Sequence, residues 1–330
     1  MRNKYKWWRA LSTGLTLGLS LYILADTFLI QQTYARADST SSSALVFAET
    51  DAAADAGTAA NTESAGAVTD TGTGTVSEGA VLSAYADAEV VGSYSDENIK
   101  ITVYSFYEND TAIYAADVQL SSVEYLRSAF ARSSYGKNVT DTTSSIAEEV
   151  NAILAINGDY YGARESGYVI RNGQVYRDTG DKDDQVLCIY SSGDMQVVRA
   201  SDYTAQELAE AGVWQAYTFG PALVSGGELS VSGSEEVGKA MTSNPRTAIG
   251  MIGEGHYLFV VSDGRTGESQ GLSLYQLAQV MANLGCTTAY NLDGGGSSTM
   301  VFQGEVINQP TTTGRKISER KVSDIVYIGA

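Results

Sequence analysis

Histidine is almost missing from this chain: one residue, His256, in 330. A histidine-rich zinc site is excluded, and a Ser-His-Asp triad would have to use that single imidazole. His256 sits in "GEGHYLFVV", which reads as an exposed hairpin turn. Any catalysis must then rest on carboxylates, hydroxyls, arginine and backbone amides. Cysteine is nearly as scarce. Cys188 and Cys286 fit no metal spacing, and their apolar contexts read as two buried free thiols, with a disulfide as the alternative if the domain is exported. The chain has no phosphate-binding Gly-Lys loop, no GxGxxG fingerprint and no repeat of fixed period. Nothing in it calls for a metal or cofactor. An acidic loop with Asp178, Asp181, Asp183 and Asp184 lacks EF-hand spacing and reads as solvated.

Basic residues are also absent over a long stretch: none occurs between Arg36 and Lys100. Residues 38–96 are dominated by Ala, Ser, Thr, Gly and Asp, and read as a disordered acidic linker. With a net charge of −18, nucleic acid and anionic membrane surfaces are poor partners. Residues 1–9 hold Arg2, Lys4, Lys6 and Arg9, and residues 11–30 form an apolar run broken only by Asp26. This predicts a basic cytoplasmic segment (1–9) and a membrane anchor over 10–30, with the bulk of the chain outside. The alternative is a signal cleaved at Ala35-Arg36-Ala37, which would leave a secreted domain.

From residue 97 to 330 the pattern is globular. Alternating stretches such as "IKITVYSFY" and "TAIYAADVQL", the Asn-Gly hairpin "YVIRNGQVYR" and the pair around "GEGH" predict hairpins. "SVEYLRSAFAR", "SSIAEEVNA", "TAQELAEAG" and "SLYQLAQVMANLG" have helical spacing. Strands outnumber helices, which predicts one α+β domain built on a mixed, largely antiparallel sheet.

Four predicted strand ends share a polar-plus-glycine grammar: Asn157-Gly158-Asp159, Arg246 after Pro245, Asp263-Gly264-Arg265, and Asp293-Gly294-Gly295-Gly296-Ser297. Each alone is an ordinary turn. Brought to one rim, they would make a pocket of acids, an arginine and bare backbone. "AINGDYY", "NPRTAIG", "VVSDGRTG", "NLDGGGSSTM" and "ERKVSDIVYIG", in that order, resemble the phosphodiester glycosidase family. The resemblance implies hydrolysis of the bond between a sugar's anomeric carbon and a phosphodiester, on a phosphorylated glycan outside the cytoplasm. The alternative is a non-catalytic surface module that binds such glycans or assists exopolysaccharide assembly.

For that reaction, Asp293 and Asp263 are the candidate catalytic carboxylates. Arg246 and the amides of Gly294, Gly295 and Gly296 are assigned to phosphate, with an ion pair to Asp263 or Asp293 as the alternative for Arg246. Asn157 and Ser297 would orient sugar hydroxyls or water. Glu319 is a possible third acid, with pairing to an arginine as its structural alternative. Asp159 and Asp324 depart from the family pattern, where a small residue and an asparagine are common, and are expected to influence substrate choice.

Overall fold

The computed structural model describes residues 13–20, 22, 25, 30–36, 80–232 and 243–329. The predicted basic segment 1–9 and tract 38–79 lie outside them. Among the described residues no helix is long and apolar enough to cross a membrane. Much of the expected anchor, 10–30, falls outside the description.

Three sheets carry the domain, and every strand pairing is antiparallel. The largest has eight strands, in the order Glu228–Leu229, Ala222–Ser225, Thr288–Asn291, Arg246–Gly253, His256–Ser262, Thr111–Leu120, Ile99–Glu108 and Glu89–Ser95. A five-stranded sheet runs Glu305–Val306, Met300–Phe302, Leu154–Asn157, Asp324–Ile328 and Leu126–Phe130. A second runs Met195–Arg199, Gln185–Tyr190, Val213–Tyr217, Val169–Arg171 and Gln174–Arg177. The α+β expectation holds.

Period-2 alternation explains how the sheets stack. In His256–Ser262, Tyr257, Phe259 and Val261 face a core shared by all three sheets, with Ile156 and Val326 from one and Leu187 and Tyr217 from another. Leu258 and Val260 face the opposite way, onto helix Leu274–Asn283. That helix is opened by a Ser273–Gln276 capping box and buries Leu274, Leu277, Ala278, Val280 and Met281. Each of the Leu, Val and Met side chains contributes about 1.5–3 kcal/mol by its burial. Helices Thr143–Glu149 and Ala205–Glu210 cover the outer faces of the other two sheets in the same way. Cys188 and Cys286 are buried free thiols.

Three local expectations change. "SVEYLRSAFAR" is not a helix: Val123–Tyr125 makes one 3₁₀ turn, and Leu126–Phe130 is a strand with alternating burial. It pairs with Asp324–Ile328, so tertiary pairing overrides a short helical pattern. His256 is no exposed turn residue: it begins a strand, and its Nε2 lies 2.7 Å from Asp117 Oδ1. The linker expected to reach 96 ends earlier. In helix Ala80–Ala84, Val81 is buried, Tyr85 stacks on Phe106 at 4.0 Å, and Glu89–Ser95 pairs with Ile99–Glu108. Gln32–Arg36 also docks, as a strand on Ser134–Lys137. Residues 32–36 and 80–95, on either side of the stretch 37–79, thus pack on the domain.

This packing sets a lower limit for the folding unit. A chain starting at residue 92 loses Val81, Tyr85 and half of the edge strand, and should melt roughly 5–10 °C below one starting at residue 79. Equal melting temperatures would show that residues 80–91 do not stabilise the sheet.

Candidate active site

The four polar strand ends do meet. Arg246 pairs with Ser262, which places Asp263 next to it across the sheet. Leu292 N donates to Thr247 O, Asp293 N to Gly158 O, and Gly295 N to Pro245 O. The loop after Thr288–Asn291 therefore runs between the start of Arg246–Gly253 and the end of Leu154–Asn157.

Asn157 joins these pieces. Its Nδ2 donates to Asp293 O at 2.6 Å and to Gly158 O at 3.3 Å. Its Oδ1 accepts from Thr247 Oγ1 at 2.8 Å and Thr299 N at 3.3 Å. All four hydrogen-bonding positions of the amide are filled. Asn157 is fully buried, so it positions the loop instead of orienting a sugar.

Asp293 is buried, and two side chains hold its Oδ2: Ser297 Oγ donates at 2.6 Å and Arg320 Nη2 at 2.8 Å. Arg320 Nε also donates to Ser297 Oγ at 2.9 Å. Burial raises the Asp293 pKa above the usual carboxylate range, and the Arg320 charge opposes the rise. Ser297 is thus a bridge between acid and cation, and the cation is Arg320, which sequence reasoning missed. Asp263 is the second acid of the rim. Its Oδ1 accepts from Asn308 Nδ2 at 3.0 Å and Gln309 N at 2.8 Å, and burial raises its pKa too. Asn308 Nδ2 also donates to Ser298 O at 3.0 Å, which couples Asp263 to the Asp293 loop.

The glycine loop packs closely against its protein neighbours. The Gly295 amide is taken by Pro245 O, and the Gly294 amide by the Asp293 carboxylate. These glycines make room for protein neighbours. Gly295 has φ +64, and a Cβ there would lie 2.9 Å from Arg265 Nη2; one on Gly296 would lie 2.3 Å from Thr312 Oγ1. Arg246 uses its Nε on Leu272 O at 2.9 Å.

Arg265, which the sequence places at one of the four strand ends without a role, is a second cation here. Its donors go to neutral acceptors, Asn244 Oδ1 at 2.8 and 3.2 Å and Thr312 O at 2.6 Å. Its backbone is left-handed, with φ 63, a conformation costly for a non-glycine residue. Burial and the neighbouring Arg320 charge both lower its pKa. Two guanidiniums thus share one rim beside Asp293, as an anion-binding site requires.

Three other acids lie outside this rim. Glu319 accepts from Ser144 N at 3.0 Å and from Ser144 Oγ, holding the first turn of Thr143–Glu149. It is structural, but not through an arginine. Asp159 and Asp324, the two departures from the family pattern, meet the same buried guanidinium. Arg171 Nη2 lies 3.0 Å from Asp159 Oδ1 and 2.8 Å from Asp324 Oδ2. With both acids fully buried beneath the loop, a direct influence on substrate choice is replaced by a scaffold role. No group of three or more His, Cys, Asp or Glu among the described residues could hold a metal. Asp178 instead accepts from Ala205 N, and Asp184 from Asp181 N.

A model of the phosphodiester glycosidase family matches residues 150–329. The chain belongs to this family. It is 28% identical over 181 residues to an uncharacterized SPbeta prophage-derived protein of Bacillus subtilis, covering 53% of this chain and 28% of that protein. Over 66 residues it is 39% identical to mouse N-acetylglucosamine-1-phosphodiester alpha-N-acetylglucosaminidase, covering 20% of this chain and 13% of the mouse protein. The matches thus span less than a third of either relative. The fold resembles the zebrafish N-acetylglucosamine-1-phosphodiester alpha-N-acetylglucosaminidase catalytic domain auto-inhibited by its pro-peptide. That comparison has a TM-score of 0.57 and 18% identity, and covers 74% of this chain and 88% of the other.

The buried acids generate a prediction. Two carboxylates share one guanidinium, and burial pushes the Asp324 pKa up to about 7. An unfolded aspartate titrates near 3.9. The stability carried by the Asp324 proton is therefore full below about pH 4 and is lost as pH rises through about 7. Asp324→Asn should flatten the fall in melting temperature between about pH 5 and 7.5. Parallel profiles for variant and wild type would contradict it.

Proposed function

We propose that the chain hydrolyses a sugar-1-phosphodiester at the Asp293 rim, on a phosphorylated glycan outside the cytoplasm. One observation carries the reading: a buried carboxylate of raised pKa is ion-paired to Arg320, and the neighbouring Arg265 has only neutral partners among the described residues. A departing phosphate is already a good leaving group, so the site needs a carboxylate for the sugar carbon and cations for the phosphate. Asp293, as base or nucleophile, works at the anomeric carbon. Arg265 and Arg320 take the phosphate, with Arg246 behind them. Asp263 is the second carboxylate, fixed by Asn308 and Gln309. The C1–O bond breaks and its electron pair leaves on the phosphate oxygen. Water supplies the new oxygen on C1 and gives its proton to the rim, leaving a free reducing sugar and a phosphomonoester.

The extracytoplasmic placement rests on the four basic residues before the apolar run 11–30. In the same proposal, 10–30 serve as anchor, and the catalytic unit runs from residue 80 to the end of the chain.

A panel of sugar-1-phosphodiesters, assayed for released reducing sugar, tests the assignment. Asp293→Asn should lower kcat by about two orders of magnitude or more while the fold melts near the wild-type temperature. Arg265→Gln should raise KM about tenfold or more, through loss of a phosphate contact. The acid limb of kcat/KM should lie above the ordinary aspartate value near 4, because Asp293 must be ionised to act. His256 cannot account for that limb: it lies at the far end of His256–Ser262, roughly 20 Å away. Full activity in Asp293→Asn would remove Asp293 from the chemistry. Binding without turnover in the wild type would favour the non-catalytic module.

A further inference from the structure

A cavity of about 140 Å³ is lined by Tyr34, Tyr135, Lys137, Tyr161, Arg164 and Arg177, with Glu165 at its edge. It is separate from the Asp293 rim but adjoins it through two consecutive residues. Tyr160, half-exposed and at φ 67, lies with its ring 6.0 Å from Arg320 Cζ. Tyr161, the next residue, is a cavity wall, stacked on Tyr135 at 5.1 Å. The docked strand Gln32–Arg36 brings Tyr34 to within 5.9 Å of Tyr135 and forms another side.

The cavity concentrates positive charge on a chain whose net charge is −18. Arg177 donates to three carbonyls, Gly167 O at 2.6 Å, Arg164 O at 2.7 Å and Tyr161 O at 3.1 Å. Arg164 lies over the Phe219 ring at 5.1 Å and donates to Thr218 O. Among the described residues neither arginine has a carboxylate partner. Lys137 is ion-paired to Glu165, whose side chain is 86% exposed, and so exposed a pair contributes little. That volume has room for a phosphate group.

We propose that this cavity is a second phosphate subsite, which holds the neighbouring phosphate of a phosphodiester-linked glycan whose scissile sugar sits at Asp293. It rests on the reaction proposed above and makes the preferred substrate a chain with at least two phosphates. Lys137, Arg164 and Arg177 supply the charge, and the tyrosines give the adjoining sugar a flat surface.

The test compares a sugar-1-phosphodiester carrying one phosphate with a dimer of the same unit carrying two. The full-length wild type should have a kcat/KM about tenfold or more higher on the dimer. Arg164→Gln and Lys137→Gln should each remove most of that preference and leave the single-phosphate substrate unchanged. Absence of a preference in the wild type, or an equal fall on both substrates, would overturn the subsite. Calorimetry of the dimer on the Asp293→Asn chain decides the matter independently of turnover. A loss of affinity of about tenfold on adding Arg164→Gln supports the subsite even if the wild type hydrolyses neither substrate, whereas unchanged affinity overturns it. A dimer joined through a uronic acid, bound as tightly, would overturn the assignment to phosphate.

Discussion

One buried amide holds this site together. Asn157 ends a strand of a five-stranded sheet, yet its side chain reaches Thr247 in the eight-stranded sheet and the backbone on both sides of the glycine loop. Every donor and acceptor it carries is used, so no substitution reproduces the set. A buried amide left half-paired costs about 1–3 kcal/mol per orphaned group. Because Asp293 O is one of its partners, the Asp293 carboxylate and the inter-sheet contact share a single restraint.

Around that restraint the arginines divide the work by their surroundings. Arg171 is fully buried between two carboxylates, beneath the loop, and removing it would leave like charges facing each other without water. Arg320 is half-exposed and keeps Asp293 and Ser297 aligned. Arg265 has no acid partner among the described residues and repels Arg320. The first stabilises the floor of the site, the second orients the acid, and the third places a charge at the mouth whose partners among the described residues are all neutral. Residue type alone could not separate these roles, since burial and partner set them.

The strand ends and the antiparallel α+β architecture were legible because they are local. Alternation marks strands, an Asn-Gly pair marks a hairpin, and an acid before glycines marks a strand's exit. What stayed hidden was long-range. Arg320 follows Asp293 by 27 positions, and its neighbour Glu319, equally charged, turns to Ser144 instead. The glycines looked like a bare anion cradle, but Arg265 and Thr312, distant in sequence, occupy the space beside them. Asp159 and Asp324 looked like independent departures until Arg171 brought them together. Leu126–Phe130 carried a helical pattern that only its partner strand overruled. Glu89–Ser95 carries Val90, Val91 and Tyr94 but reads as part of the small, acidic tract before it, and only its pairing with Ile99–Glu108 separates it.

The central claim is that the site works on the sugar's C1–O bond and uses its cations for the departing phosphate. Turnover of a sugar-1-phosphodiester in ¹⁸O-labelled water, followed by mass spectrometry of both products, tests this directly. The account predicts label on the reducing sugar and none on the phosphomonoester. Label on the phosphate would mean attack at phosphorus, making the chain a phosphodiesterase and contradicting the role given to Asp293.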